Sequence, residues 1–146
     1  MISKRIFAVL TLFFLAVAPN LHATCSNASL KGTYGYSAQG FTEAPANVSP
    51  AGFVPFAQTG LSAFDGKGNI LSGTFTFATT TAAGGVFSGT FTGTYSVGAD
   101  CSGTAVVQTD AGDTFTFDLV VLGPEKLTFI NTDPDGFLAV YSFQKI

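Results

Sequence analysis

The sequence predicts an all-β fold, an eight-stranded antiparallel up-and-down barrel, and three observations lead to it. Beyond residue 23, apolar and polar residues alternate with a period of two, which is typical of strands with one buried face. Turn motifs rich in Gly and Asp divide these alternating segments at short intervals. The same region lacks the 3.6-residue periodicity of an amphipathic helix. A two-sheet β-sandwich is the alternative arrangement.

Alternation and turn motifs together place the strands along the chain. The predicted strands are Gly32–Gln39, Gln58–Phe64, Ile70–Phe77, Phe87–Val97, Thr104–Thr109 and Thr114–Leu122, followed by two more that the turns Gly123–Lys126 and Asp133–Gly136 delimit. Alternation is clearest in the fourth strand, where Phe91, Tyr95 and Val97 share the apolar face. In the third strand, Leu71 and Phe75 are predicted to share that face.

Two neighbouring segments are harder to interpret. The connection Gly40–Pro55 contains three prolines and is predicted to be a long loop. In the strand that follows, either of two alternating sets of residues could face inward, and the sequence pattern does not distinguish between them. These sets are Phe56, Gln58, Ser62 and Phe64, or Ala57, Leu61 and Ala63.

A meander of eight strands with one apolar face must bury that face, and closure into a barrel does so without leaving an edge strand. Phe and Gly alternate on the apolar faces, which favours the barrel because large and small side chains must share a narrow interior. Thirteen phenylalanines lie beyond residue 23. We expect them to fill the interior and to leave little room for a cavity.

The first 23 residues are predicted to be a secretory signal peptide. Lys4 and Arg5 precede an apolar run, Ile6–Ala18, and Leu21-His22-Ala23 provides a cleavage site. The apolar run is too short to span a bilayer as a helix, so no membrane anchor is expected after cleavage. The sequence therefore predicts one domain, residues 24–146, in the periplasm or outside the cell.

Composition excludes many functions for this domain. Beyond Ala23 the chain contains no His, Arg, Trp or Met, so it lacks the commonest general base and metal ligand. Without Lys4 and Arg5, the chain contains four lysines and nine acidic residues, which gives a net charge of −5. Nucleic-acid binding and a basic membrane-binding patch are therefore not expected.

The two cysteines, Cys25 and Cys101, are predicted to form a disulfide because the chain is expected in an oxidising compartment. A reactive thiol pair is the alternative. The chain contains neither a Cys-x-x-Cys motif nor a His or Arg beyond Ala23 to lower a thiol pKa.

Three segments resemble short exported β-proteins of environmental bacteria. They are Cys25-Ser26-Asn27-Ala28-Ser29-Leu30-Lys31-Gly32-Thr33-Tyr34-Gly35, Phe64-Asp65-Gly66-Lys67-Gly68-Asn69 and Thr92-Gly93-Thr94-Tyr95-Ser96-Val97-Gly98-Ala99-Asp100-Cys101-Ser102-Gly103-Thr104. The resemblance implies the same fold and the same cysteine pair, and it implies no activity. The strand count and the opening Gly-Thr-Tyr also resemble calycin-like barrels, although the Trp of the biotin-binding members is absent.

Acidic turns raise the question of a metal site. Asp65-x-Lys67-x-Asn69 has the spacing of the start of a calcium loop, but Lys67 occupies a ligand position and no carboxylate follows at the required distance. A hairpin turn is the better interpretation, as it is for Asp133-Pro134-Asp135-Gly136. We therefore predict no metal and no cofactor, with a weak calcium site between turns as the alternative.

If the protein is an enzyme, four residues are the candidates for its chemistry. Most acidic residues lie in turns, whereas Asp118 lies within a strand and Glu43 lies in the long connection. A pair of carboxylates hydrolyses glycosides without histidine, and Tyr34 and Tyr36 on one strand face would assist. The simpler interpretation is that the tyrosines are core residues and that Asp118 is solvated.

The leading hypothesis is a non-enzymatic exported protein that binds a small molecule or a surface ligand, or that serves as a structural module. The mouth of the barrel and the Gly40–Pro55 connection would then make the contacts. A histidine-free isomerase or glycoside hydrolase is one alternative. A carrier of a slim apolar molecule is another.

Overall fold

The computed structural model describes residues 24–43, 52–80, 84–133 and 137–146, and these form one closed antiparallel barrel. Its eight strands are β1 (Lys31–Glu43), β2 (Phe53–Asp65), β3 (Asn69–Thr79), β4 (Val86–Val97), β5 (Ser102–Thr109), β6 (Thr114–Gly123), β7 (Lys126–Asn131) and β8 (Phe137–Lys145). They follow one another in chain order, and β8 pairs with β1 to close the barrel. The predicted up-and-down barrel is confirmed, and the β-sandwich is wrong.

The predicted signal peptide, residues 1–23, lies outside the described residues. Within the described ranges, no helix is long and apolar enough to cross a membrane.

Alternate residues of each strand point into the barrel, as the period-two pattern predicts. In β4, Tyr95 and Val97 are buried, and in β6 the buried set is Phe117, Leu119 and Val121. The two competing sets in β2 are now resolved. Its buried residues are Val54, Phe56, Ser62 and Phe64, with Gln58 half-buried, whereas Leu61 is exposed.

Two sequence predictions about strand geometry are wrong. Leu71 is 61% exposed, and Ile70 points inward in its place, because a β-bulge inserts one extra residue into β3 between Ile70 and Gly73. The predicted Gly40–Pro55 loop is shorter than expected, since the β1–β2 ladder continues to the pair Glu43–Phe53. Residues 44–51 of that connection lie outside the described residues.

The N-terminal segment covers one end of the barrel, which we call the closed end. Cys25 forms the predicted disulfide with Cys101, across 76 positions of the sequence. A short 3₁₀ helix, Asn27–Ser29, follows, and the hydroxyl of Tyr95 donates hydrogen bonds to the carbonyl oxygens of Asn27 and Leu30. Leu30 is fully buried as a result. The opposite end, where β1, β3, β5 and β7 finish, is called the open end.

Candidate functional site

A cavity of about 420 Å³ extends from the open end into the barrel as far as Ser62 and Ile70. Beneath it, the rings of Tyr34, Phe64 and Tyr95 fill the closed end through edge-to-face contacts at centroid distances of 5.3 and 5.4 Å. The expectation that phenylalanines fill the whole interior is therefore wrong. It holds for the closed end alone.

Most of the cavity wall is aromatic. Nine phenylalanines from β3, β4, β6, β7 and β8 line it, and several of them stack on one another. Phe77 stacks on Phe87 at a centroid distance of 4.8 Å and on Phe56 at 4.6 Å. These contacts between rings hold the side chains along the wall of the cavity. The surface that they present to the cavity is apolar.

Two small residues, Ala38 and Gly40, lie between Tyr36 and Thr42 on β1. Ala38 faces inward and pairs with Gln58 on one side and with Tyr141 on the other. In the adjacent row towards the open end, Gly40 pairs with Phe56 and Ala139. A Cβ atom at Gly40 would stand 2.9 Å from the Phe56 ring, so this ring packs closely against β1 in that row.

One side of the cavity carries hydrogen-bonding groups. The side-chain amide of Gln58 donates to the Tyr36 hydroxyl at 2.9 Å, and that hydroxyl donates to the backbone oxygen of Thr74 at 3.2 Å. Burial raises the pKa of Tyr36 to about 12, and the hydrogen bond from Gln58 opposes the shift. The Tyr36 phenol is therefore protonated at neutral pH.

Two further hydroxyls reach the cavity without a partner. Tyr141 is 6% exposed and Ser62 is 1% exposed, and both line the cavity. Neither hydroxyl forms a hydrogen bond with any residue that the structure describes. Burial, and to a smaller extent Tyr36, raises the pKa of Tyr141. Because both residues line the cavity, their hydroxyls are available to a bound molecule.

The rim of the cavity at the open end is acidic. We call this rim the mouth, and it comprises Thr42 and Glu43 at the end of β1 and Thr109 and Asp113 around the β5–β6 turn. Glu43 and Asp113 are both exposed. β1 and the β5–β6 turn stand on roughly opposite sides of the barrel, so Glu43 and Asp113 border the mouth at two separate points.

Comparison with known proteins gives the fold a context. The barrel is similar to designed barrels. A redesigned β-barrel superposes with a TM-score of 0.56 at 10% identity, covering 82% of this chain and 94% of its own. A de novo designed fluorescence-activating β-barrel superposes with a TM-score of 0.52 at 14% identity, covering 80% of this chain and 93% of its own. No protein-family profile and no curated sequence matches this chain.

The structure separates the four residues that the sequence nominates for catalysis. Tyr36 and Glu43 line the cavity, at its wall and at its mouth. Tyr34 lies below the cavity, where its buried hydroxyl forms no hydrogen bond with a described residue, and burial raises its pKa. Asp118 is exposed on the outer surface, between Thr104 and Ile130 of the neighbouring strands. The pair of Glu43 and Asp118 is therefore not brought together.

The acidic residues of two turns accept hydrogen bonds from neighbouring groups of the chain. Asp65 accepts hydrogen bonds from the backbone nitrogens of Lys67 and Asn69 and from the Asn69 side chain, as a hairpin turn requires. Asp133 accepts from Thr116 and Asn131 in the same manner. Within the described ranges, no group of three or more His, Cys, Asp or Glu side chains is placed to hold a metal ion.

Sequence reasoning missed four functional candidates of the cavity. Gln58 and Ser62 were assigned only to one of two competing faces, and Tyr141 was not singled out. A signal was present in β2, because two polar residues on the same face as Phe56 and Phe64 interrupt an otherwise apolar set. Asp113 gave no such signal, since an acidic residue in a turn is ordinary.

Proposed function

We propose that this protein is an exported, non-enzymatic binding protein that takes up a small, largely apolar organic molecule in its barrel. The observation that carries the proposal is the aromatic cavity with the unpartnered Tyr141 hydroxyl in its wall. Its volume of about 420 Å³ lies within the range of small-molecule sites, about 300–1,000 Å³. An apolar pocket with a few oriented polar groups is the usual composition of such a site.

Export is part of the proposal and rests on two features. The first 23 residues have the organisation of a secretory signal, and Cys25 is bonded to Cys101. Disulfides persist in oxidising compartments, so the periplasm or the extracellular space is the expected location.

A role without catalysis is supported by the chemistry of the cavity wall. The Tyr36 phenol, with a pKa of about 12, is too weakly acidic to supply a base at neutral pH. Glu43 is the only carboxylate of the nominated set at the cavity, and its expected partner Asp118 lies on the outer surface. Binding requires neither group to exchange a proton.

The first experiment is a titration with N-phenylnaphthylamine, an uncharged dye whose fluorescence rises in apolar surroundings. We expect saturable enhancement with purified protein, and we expect the dye to raise the melting temperature. A fluorogenic dye is a suitable probe, since one barrel of similar fold is described as fluorescence-activating.

A matched pair of variants locates the bound dye. Val107 lines the cavity, whereas Val106, its neighbour in β5, is 42% exposed on the outer surface. Val107→Trp should weaken dye binding because it occupies cavity volume, and Val106→Trp should leave binding unchanged. Absence of binding, or equal loss in both variants with both proteins folded, would overturn the proposal in favour of a structural or surface-binding module.

A further inference from the structure

We propose that the ligand is a cationic amphiphile, an organic amine whose apolar body lies in the cavity and whose protonated nitrogen lies at the mouth. This inference rests on the proposed function and names the chemical class of its ligand. Two independent features carry it, the charge distribution along the barrel and the unpartnered hydroxyls inside it.

Charges are segregated between the two ends of the barrel. At the open end, the described residues include four carboxylates and no lysine; the carboxylates are Glu43, Asp110, Asp113 and Asp133. All four lysines beyond Ala23 lie at the closed end, accompanied by three carboxylates; the lysines are Lys31, Lys67, Lys126 and Lys145. The sequences of the connections 44–51, 81–83 and 134–136 contain no basic residue. A molecule that approaches the mouth therefore meets a negative potential.

Two of these carboxylates are free to contact a ligand. Asp110 accepts hydrogen bonds from the backbone nitrogen and the hydroxyl of Thr90. Asp133 accepts a hydrogen bond from the backbone nitrogen of Thr116. The side chains of Glu43 and Asp113, in contrast, form no hydrogen bond or ion pair with any described residue, and both line the cavity. They are therefore the two described acids at the mouth that are available to a bound ammonium group.

Polar side chains inside the cavity lie at a defined distance from the mouth. Tyr141 and Gln58 flank Ala38, which lies five residues before Glu43 on β1. At about 3.3 Å per residue, this is about 16 Å along the strand, or about 12 Å along the axis of a barrel whose strands tilt by about 40°. The two backbone rows are thus separated by about 12 Å, and the structure favours a molecule with an ammonium group at the mouth, an apolar body and a hydrogen-bonding group deeper in the cavity.

Aromatic rings around the mouth also favour a positively charged group on the ligand. Phe137 is the first residue of β8 at the open end, Phe87 is the second residue of β4, and Phe115 is the second residue of β6, close to Asp113 in the sequence. The faces of aromatic rings attract cations and not anions. An anionic amphiphile such as a fatty acid would place its carboxylate against Glu43 and Asp113, which opposes its binding.

The test compares two dyes that differ in the sign of one charge. Dansylcadaverine ends in a protonated amine, and the dansyl derivative of aminohexanoic acid ends in a carboxylate on the same pentyl tether. At low ionic strength we expect the amine to bind about tenfold more tightly than the acid, and we expect added salt to reduce this ratio.

Charge variants identify the origin of the ratio. Glu43→Gln with Asp113→Asn should bring the two affinities together, and Glu43→Lys with Asp113→Lys should invert their order. Asp118→Lys changes a carboxylate on the outer wall and is the matched control, for which the ratio should stay near the wild-type value.

The outcomes separate this inference from the proposed function. If N-phenylnaphthylamine does not bind, the proposed function fails, and this inference fails with it. If the uncharged dye binds but the amine is not preferred over the acid, or the mouth variants leave the preference unchanged, only the inference of a cationic ligand is overturned.

Discussion

The side-chain amide of Gln58 donates a hydrogen bond of 2.9 Å to the hydroxyl of Tyr36, and the pair forms a polar strip in an otherwise aromatic cavity wall. The hydroxyl continues the chain by donating to the backbone oxygen of Thr74 at 3.2 Å. Gly60 makes this possible, because it lies opposite Tyr36 and a Cβ atom there would stand 2.9 Å from the hydroxyl. The strip therefore depends on a missing side chain as well as on two present ones.

Removing the Tyr36 hydroxyl should cost stability, whereas removing the Tyr141 hydroxyl should not. Tyr36→Phe leaves the Gln58 amide and the Thr74 carbonyl without their partner, for which we expect a loss of about 1–3 kcal/mol. Tyr141→Phe is the matched control because its hydroxyl has no partner among the described residues. Urea denaturation of both variants measures the difference, and equal destabilisation would show that the strip does not stabilise the fold.

The disulfide should contribute strongly to stability because it closes a loop of 76 positions. Replacing Cys25 and Cys101 together by serine should lower the free energy of unfolding by about 3–5 kcal/mol. The main cause is that the unfolded chain, without the cross-link, gains conformational entropy. Urea denaturation of the oxidised wild type and of the double variant checks the value. A loss below about 1 kcal/mol would mean that the hydrogen bonds of Tyr95 and Asn27 hold the closed end by themselves.

The β2–β3 turn should titrate at unusually low pH. The hydrogen bond from the Asn69 side chain, followed by backbone donors, lowers the pKa of Asp65 to about 2. Since this pKa lies below the value near 3.9 of an unfolded chain, the stabilisation is present above that value and is lost as pH falls through about 2. Carboxyl NMR titration should show the low midpoint in the wild type.

Two variants test the cause of that shift. Asn69→Ala should raise the Asp65 midpoint, because it removes the largest contribution. Lys67→Ala retains the backbone nitrogen that donates to Asp65 and should leave the midpoint low. An unchanged midpoint in Asn69→Ala would rule out the side-chain hydrogen bond as the cause.

Gly73 should be intolerant of any side chain, because the ring of Phe91 covers it. A Cβ atom at Gly73 would stand 2.0 Å from the ring, so Gly73→Ala must push Phe91 towards the cavity. We expect a loss of about 1–3 kcal/mol, as for overpacked cores, together with weaker dye binding. Gly123→Ala is the control, since no atom lies within 4 Å of its Cβ position. Equal stability of the two variants would contradict the packing of Phe91.

The sequence by itself determined the strands, most of their faces and the disulfide. Alternation is a local property, and residues such as Phe117, Leu119 and Val121 reveal the buried face without any knowledge of their neighbours. The turns could also be predicted from the sequence, because Gly and Asp at fixed positions favour the backbone geometry of a turn. Cys25 and Cys101 were the only two cysteines, so their pairing required no geometry.

Only the tertiary structure decided the cavity and its mouth. The bulge that turns Leu71 outward depends on the register of β3 against β4, which no local pattern encodes. The cavity lies between aromatic rings from strands that are far apart in the sequence, so it is a result of how their volumes pack rather than a motif. Glu43 and Asp113 lie at one mouth because β1 and β5 run in the same direction and barrel closure arranges their ends around one rim.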